Sequence, residues 1–378
     1  MRYAGPIIDV DVHQTWAAEA EVLEYLSPQW REFVVSPGGG RTLLSPAPPN
    51  HPFEDGSNKR LDSFPPGGGR PGSDYTWMRQ QLLDPLNIEH CVLSFDIGEQ
   101  SGVTNPYLAV ELCRAANDWA LDRWLTIPDP RLSASIVVPT EMPDAAAAEI
   151  RRLAGHPHVV EVLLEANAMG KPFGHPVYDP IYDAAAETGL VVGIHLGGHL
   201  FGKGSRIAGG TPLTRLEEFA TNDLAGQHHA TSLLTHGTFE KFPALKVLLK
   251  ENGFSWVPWV MWKLDSHFDL LRRENPLVKQ LPSETFREHV IVSTQPFDHS
   301  PKAQQLIDVL ECFDGIDDVL VFSTDYPHWD ADEPVHVASR LPSEWHRKVF
   351  HDNAAAFYDF PLAPTTPGRV DPEAALAT

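Results

Sequence analysis

The chain has 378 residues, 42% of them hydrophobic, and a formal net charge of −22. That apolar content supports a large core and excludes global disorder, while the acidic balance, offset by no basic run, excludes a nucleic-acid partner. No stretch approaches a membrane span and no basic-then-apolar leader opens the chain, so a soluble, cytoplasmic protein with no membrane partner is expected.

The first apolar run, 7–12, ends on Asp11-Val12-His13. Residues 36–74 follow, with Pro37-Gly38-Gly39-Gly40, Pro48-Pro49 and Pro65-Pro66-Gly67-Gly68-Gly69, a long segment with little helix or strand potential. Further strand-like runs lie at 90–95, 134–138, 159–165, 190–195, 245–251, 289–293 and 319–324. Helical patterns at 106–125, 143–154, 176–188, 223–241, 256–273, 300–313 and 343–358 alternate with them. This is the order of parallel βα units, and eight of them predict an α/β (β/α)8 TIM-like barrel. A single domain over 1–360 is expected, with 36–74 as an insertion covering the active-site face and 361–378 as a disordered tail. Cys91, Cys113 and Cys312 are too few and too scattered for a disulfide framework or a thiolate zinc site.

Several runs stop on metal-binding side chains. Asp11 and His13, two apart on a strand, point to one side, which in a barrel is the interior near the C-terminal rim. The run Leu190-Val191-Val192-Gly193-Ile194 closes on His195 and continues as Leu196-Gly197-Gly198-His199. The last run closes on Asp325 before Tyr326-Pro327-His328, and the fourth and sixth close on Glu165 and Glu251. One such residue alone is as readily a hydrogen-bonded loop anchor, and Glu165 is as readily the partner of Lys171. The agreement of several strand ends in one register carries the metal reading.

These segments resemble the amidohydrolase superfamily, in the amidohydrolase family 2 branch of metal-dependent hydrolases and decarboxylases. The matching pieces are Ile8-Asp9-Val10-Asp11-Val12-His13, Ile194-His195-Leu196-Gly197 and Phe242-Pro243-Ala244-Leu245-Lys246-Val247. Glu251-Asn252-Gly253-Phe254-Ser255-Trp256-Val257-Pro258 and Ser323-Thr324-Asp325-Tyr326-Pro327-His328 complete the set. The resemblance implies His13, His195 and Asp325 as metal ligands, with Asp325 also a base, and it implies a homo-oligomer. Asp11 stands where many relatives carry the first histidine of a His-x-His pair. Glu251 stands where short-chain relatives carry an acid–base histidine, and Glu165 where binuclear members carry a bridging carboxylate.

The full candidate ligand set is therefore Asp11, His13, Glu165, His195, Glu251 and Asp325, with Asp325, Glu251 and His199 as acid–base candidates. One or two divalent ions are expected, with zinc, manganese or iron compatible with these oxygen and nitrogen donors. The expected chemistry is hydrolysis of a C–N or C–O bond, or decarboxylation of a small aromatic or unsaturated acid. Four carboxylates with two imidazoles also suit a non-heme diiron monooxygenase acting on a hydrophobic substrate, and a metal-free scaffold is a third reading. Trp16 is placed to shape a pocket for an apolar or aromatic molecule, whereas Phe254, Trp256, Trp259 and Trp262 read as core. Arg79 and Arg206 are candidates to meet a substrate carboxylate; His228, His229, His236 and His328 read as structural or supporting.

Overall fold

The structure, a computed structural model, describes residues 3–36, 58–95, 105–166, 170–196, 214–298 and 300–360. The greater part of the expected cover, 37–57, and the tail 361–378 lie outside these residues.

Eight strands form one sheet in sequential order: β1 (Ile7–Gln14), β2 (Ile88–Phe95), β3 (Leu132–Val137), β4 (Val159–Glu165), β5 (Val191–His195), β6 (Val247–Lys250), β7 (Val290–Ser293) and β8 (Leu320–Val321). Every ladder between successive strands is parallel. The β1–β8 gap is bridged by Val10 N–H donating to Phe322 O (3.2 Å), His13 N–H to Tyr326 O (2.7 Å) and Asp325 N–H to Asp11 O (3.1 Å). The Asp9 carboxylate adds bonds from the Thr324 N–H (3.0 Å) and hydroxyl (2.5 Å). The expected barrel is thus the observed one.

Helices cover the outside and begin where their sequences dictate. The Asn105 side chain accepts from the N–H groups of Tyr107 and Leu108, and Pro106 sets the first turn of Pro106–Arg123. Gly189, at φ +75°, stops the helix Asp179–Thr188. The expected helix 223–241 is two, Asp223–Thr235 and Thr238–Lys241, because Gly237 at φ +66° leaves the helical region between them.

The barrel interior is layered. At the floor, Ile8, Val10, Val92, Val191, Leu248, Ile291 and Val321 pack against Ala354, Ala355 and Tyr358 of the helix Asn353–Tyr358, which plugs that end. Their neighbours Ile7, Val12, Val192, Val247, Leu249 and Val292 belong to the larger core between strands and helices. Above the hydrocarbon floor the inward positions turn polar. On β1 a bulge achieves this: Asp9 and Val12 pair with Cys91 and Leu93, so three steps on β1 oppose two on β2. Ile8 and Val10 therefore face the interior below the bulge, and Asp11 and His13 face it above.

Candidate metal centre and active site

The polar layer starts with an ion pair. Lys250, last residue of β6, is completely buried, with Nζ 2.7 Å from Glu161 Oε1, 3.0 Å from Ser94 Oγ and 3.6 Å from Asp11 Oδ1. Glu161 also accepts from the Tyr358 hydroxyl. β5 separates β4 from β6, and Gly193 provides the room for this contact: a Cβ there would lie 2.6 Å from the Glu161 carboxyl. The Ser94 hydroxyl donates to Asp11 Oδ1 (2.7 Å), so this oxygen is held from below by a hydroxyl and an ammonium.

The other Asp11 oxygen, Oδ2, faces the histidines, 3.2 Å from His195 Nε2 and 4.0 Å from His13 Nε2. Asp325 completes the group. Its Oδ1 meets His13 Nε2 at 2.8 Å and His328 Nδ1 at 2.5 Å, and its Oδ2 accepts from Gln295 Nε2 at 3.0 Å. Asp325 sits at φ +61°, an uncommon conformation for a side-chain-bearing residue, fixed by its backbone bond to Asp11 and by these partners. Asp11, His13, His195 and Asp325 are all buried, and each offers a ligand atom within 4.8 Å of the others.

The donor chemistry fits a divalent cation. His195 Nδ1 is 2.5 Å from Leu196 O, so Nδ1 carries an N–H and Nε2 is the nitrogen that would exchange its proton for a cation. That Nε2 is buried and makes no hydrogen bond, although two carboxylates surround it. Burial alone would lower the His195 pKa, but Asp11, followed by Glu251 and Asp325, lifts it to about 9. A field that holds a proton on a buried imidazole favours a cation in the same place.

Glu251 stands at the edge of this group. It follows β6 at φ +55°, its N–H donates to Ser293 Oγ (3.2 Å), and its Oε2 lies 3.6 Å from His195 Nε2. With Asp325 and Asp330 it forms a second group whose oxygens lie within 4.8 Å of one another. Its carboxyl is pushed up to about 8, by burial first and then by the Asp325 charge.

Four of the six sequence-derived ligands thus form one cluster and Glu251 adjoins it. Glu165 ends β4 in register with His195, but it belongs to neither group of ligand atoms. His199 and Arg206 lie outside the described residues. Arg79 is half exposed and pairs with Asp84 at 2.9 Å. Trp16 is fully buried against Phe95 and Trp119. Phe254 and Trp256 are core as expected, whereas Trp259 and Trp262 are half exposed. His229 is buried and accepts from the Phe173 N–H (3.1 Å). His236 ends its helix at the surface, and His328 supports Asp325 directly.

Sequence reasoning missed Lys250, Ser94, Gln295 and Asp330. Parity would have found Lys250, two residues beyond the inward Leu248, and the strand-end rule would have found Gln295, just past β7. Asp330 lies in the turn after β8 and has no such signal.

The amidohydrolase family model matches residues 8–360. The chain belongs to this family. A gamma-resorcylate decarboxylase from Rhizobium sp. (strain MTP-10005) is 28% identical over 270 residues, covering 67% of this amidohydrolase and 77% of the relative. Among solved structures, a 2,6-dihydroxybenzoate decarboxylase complexed with 2,6-dihydroxybenzoate matches at 21% identity and TM-score 0.63, over 94% of this chain and 99% of that one. A dihydroxybenzoic acid decarboxylase from Polaromonas sp. JS666, with bound manganese and the inhibitor 2-nitroresorcinol, matches at 19% identity and TM-score 0.62, over 95% and 98%. At such identities the structural likeness speaks for the fold. As a family member with a buried Asp/His cluster suited to a divalent ion, this amidohydrolase is a metal-dependent enzyme of the hydrolase and lyase group. Among the described residues no helix is long and apolar enough to cross a membrane.

Proposed function

We propose that this amidohydrolase decarboxylates a small aromatic acid, Ar–COO⁻ + H⁺ giving Ar–H + CO₂, with Asp11, His13, His195 and Asp325 holding one divalent ion. The supporting observation is the pairing of that cluster with a carboxyl group, Glu251, at its open edge: Glu251 Oε2 is 3.6 Å from His195 Nε2 and retains partial exposure. A divalent ion in the cluster would supply Lewis-acid polarisation and neutralise an anionic substrate.

The chain's own residues account for the remainder. Asp325, held by His13, His328 and Gln295, is fixed in orientation. Glu251, at the mouth, is the group placed to deliver the proton that replaces the lost carboxyl carbon and to recover one from water. The relatives' names support the aromatic-acid class, and manganese is the ion to load first. The diiron oxygenase alternative draws no support from them.

The test is incubation of manganese-loaded protein with 2,6-dihydroxybenzoate in D₂O. The expected product is resorcinol with one deuterium at the vacated ring carbon, and Glu251→Gln slows its formation at least 100-fold. Release of no CO₂ from this or related hydroxybenzoates, with turnover of an amide or ester instead, would move the chain to the hydrolytic branch.

A further inference from the structure

Asp11 presents its two oxygens to two different surroundings. Oδ2 faces the imidazoles of His195 and His13, while Oδ1 faces the barrel interior below. There three oxygens converge on one point: Glu161 Oε1, Ser94 Oγ and Asp11 Oδ1 lie 2.7, 3.0 and 3.6 Å from Lys250 Nζ. The set is held from several directions. The other Glu161 oxygen accepts from the Tyr358 hydroxyl, Ser94 donates to Asp11, and Asp11, Ser94, Glu161 and Lys250 are all fully buried. Lys250 is the register partner of His195 on the neighbouring strand, yet the two side chains end on opposite oxygens of the same carboxylate.

Stability does not account for this ammonium. Taking a lysine and a glutamate out of water costs about as much as their attraction returns, and an apolar pair of similar volume would serve the fold as well. What the lysine adds is a fixed positive charge against the underside of a ligand carboxylate. A carboxylate can bridge two ions through its two oxygens, and an all-oxygen pocket suits a manganese-like cation. We propose that Lys250 stands in for a second metal ion: its ammonium fills a cation site built from Glu161, Ser94 and Asp11, and so limits the centre to one ion. The assignment rests on the one-ion centre proposed above. It makes Lys250 a positioning residue, which leaves Oδ2 as the only Asp11 oxygen offered to the ion.

The experiment is manganese stoichiometry, by equilibrium dialysis with elemental analysis, together with manganese electron paramagnetic resonance. It compares wild type, Lys250→Ala and Lys250→Met/Glu161→Leu. Alanine opens the volume of the ammonium and keeps the Glu161 carboxylate; the double variant removes both the carboxylate and the space. Wild type is expected to hold one ion per chain. Lys250→Ala is expected to hold two, with the spectrum of an isolated ion broadened by coupling across Asp11, a change that a merely structural lysine would not produce. The double variant is expected to return to one ion and the wild-type spectrum. Lys250→Ala that folds with one ion, or that saturating manganese does not fold, overturns the Lys250 assignment and leaves the one-ion centre standing. A second ion in the double variant also overturns it, by placing that ion elsewhere. Wild type that holds two ions, or none, overturns the one-ion centre and the Lys250 assignment with it.

Discussion

Lys250 Nζ lies 2.7 Å from Glu161 Oε1 with both side chains fully buried, one strand removed from each other inside the barrel. A buried ion pair adds little net stability over an apolar pair, but removing one partner strands the other charge in a low-dielectric interior. Lys250→Met leaves Glu161 and the Ser94-bound edge of Asp11 without their cation. It is expected to destabilise the fold by about 3–5 kcal/mol in urea unfolding, with most of this recovered in Lys250→Met/Glu161→Leu. A single variant as stable as wild type would show that Glu161 finds its compensation elsewhere.

Gly193 should tolerate no side chain. Its added Cβ would meet the Glu161 carboxyl at 2.6 Å, and that carboxyl is pinned by Lys250 and Tyr358. Gly193→Ala is expected to cost about 1–3 kcal/mol, in the range of core overpacking. The cost should shrink when Glu161 is shortened to alanine in the same chain, and a thermal melt of the four proteins measures the coupling.

Metal loading should stabilise the folded chain. At free manganese 100 times its dissociation constant, mass action predicts about 2.7 kcal/mol. Asp11→Ala and Asp325→Asn should each abolish the resulting rise in melting temperature and lower the metal content found by elemental analysis. An undiminished rise in both variants would place the ion elsewhere.

His229 predicts an acid-sensitive fold. Burial, followed by the nearby His228, lowers its pKa from 6.5 to about 3, so the folded protein keeps it neutral while the unfolded chain protonates it below about 6.5. The unfolded state then binds more protons, and stability falls as pH drops from 6.5 toward 3. The expected loss from this group is about 2 kcal/mol at pH 5 relative to pH 7. His229→Gln, which still offers an acceptor to the Phe173 N–H, should flatten the profile by that amount; a profile of unchanged slope would assign the acid sensitivity to other groups.

The fold was legible because parallel strands buried on both faces announce themselves as apolar runs, and seven of the eight begin and end within about two residues of their sequence limits. The last differs most: β8 keeps only Leu320–Val321, because the chain leaves the ladder to carry Asp325 into its left-handed conformation. Short or polar helices such as Pro282–His289, with one apolar contact every turn or less, lacked a readable periodicity. The cluster of Asp11, His13, His195 and Asp325 was legible because several apolar strands close on a histidine or aspartate in one register. The layer beneath them was not, since a lysine and a glutamate in sequence look like surface residues. The missing side chain of Gly193 leaves the room in which they meet.

The meeting of Asp325 with His13 joins positions 312 residues apart and lies on the β1–β8 seam. During synthesis the first two candidate ligands are made almost at once, yet their partner emerges only when the final strand does. The candidate centre therefore stays incomplete until the last strand is made, and the step that completes it is the one that shuts the cylinder.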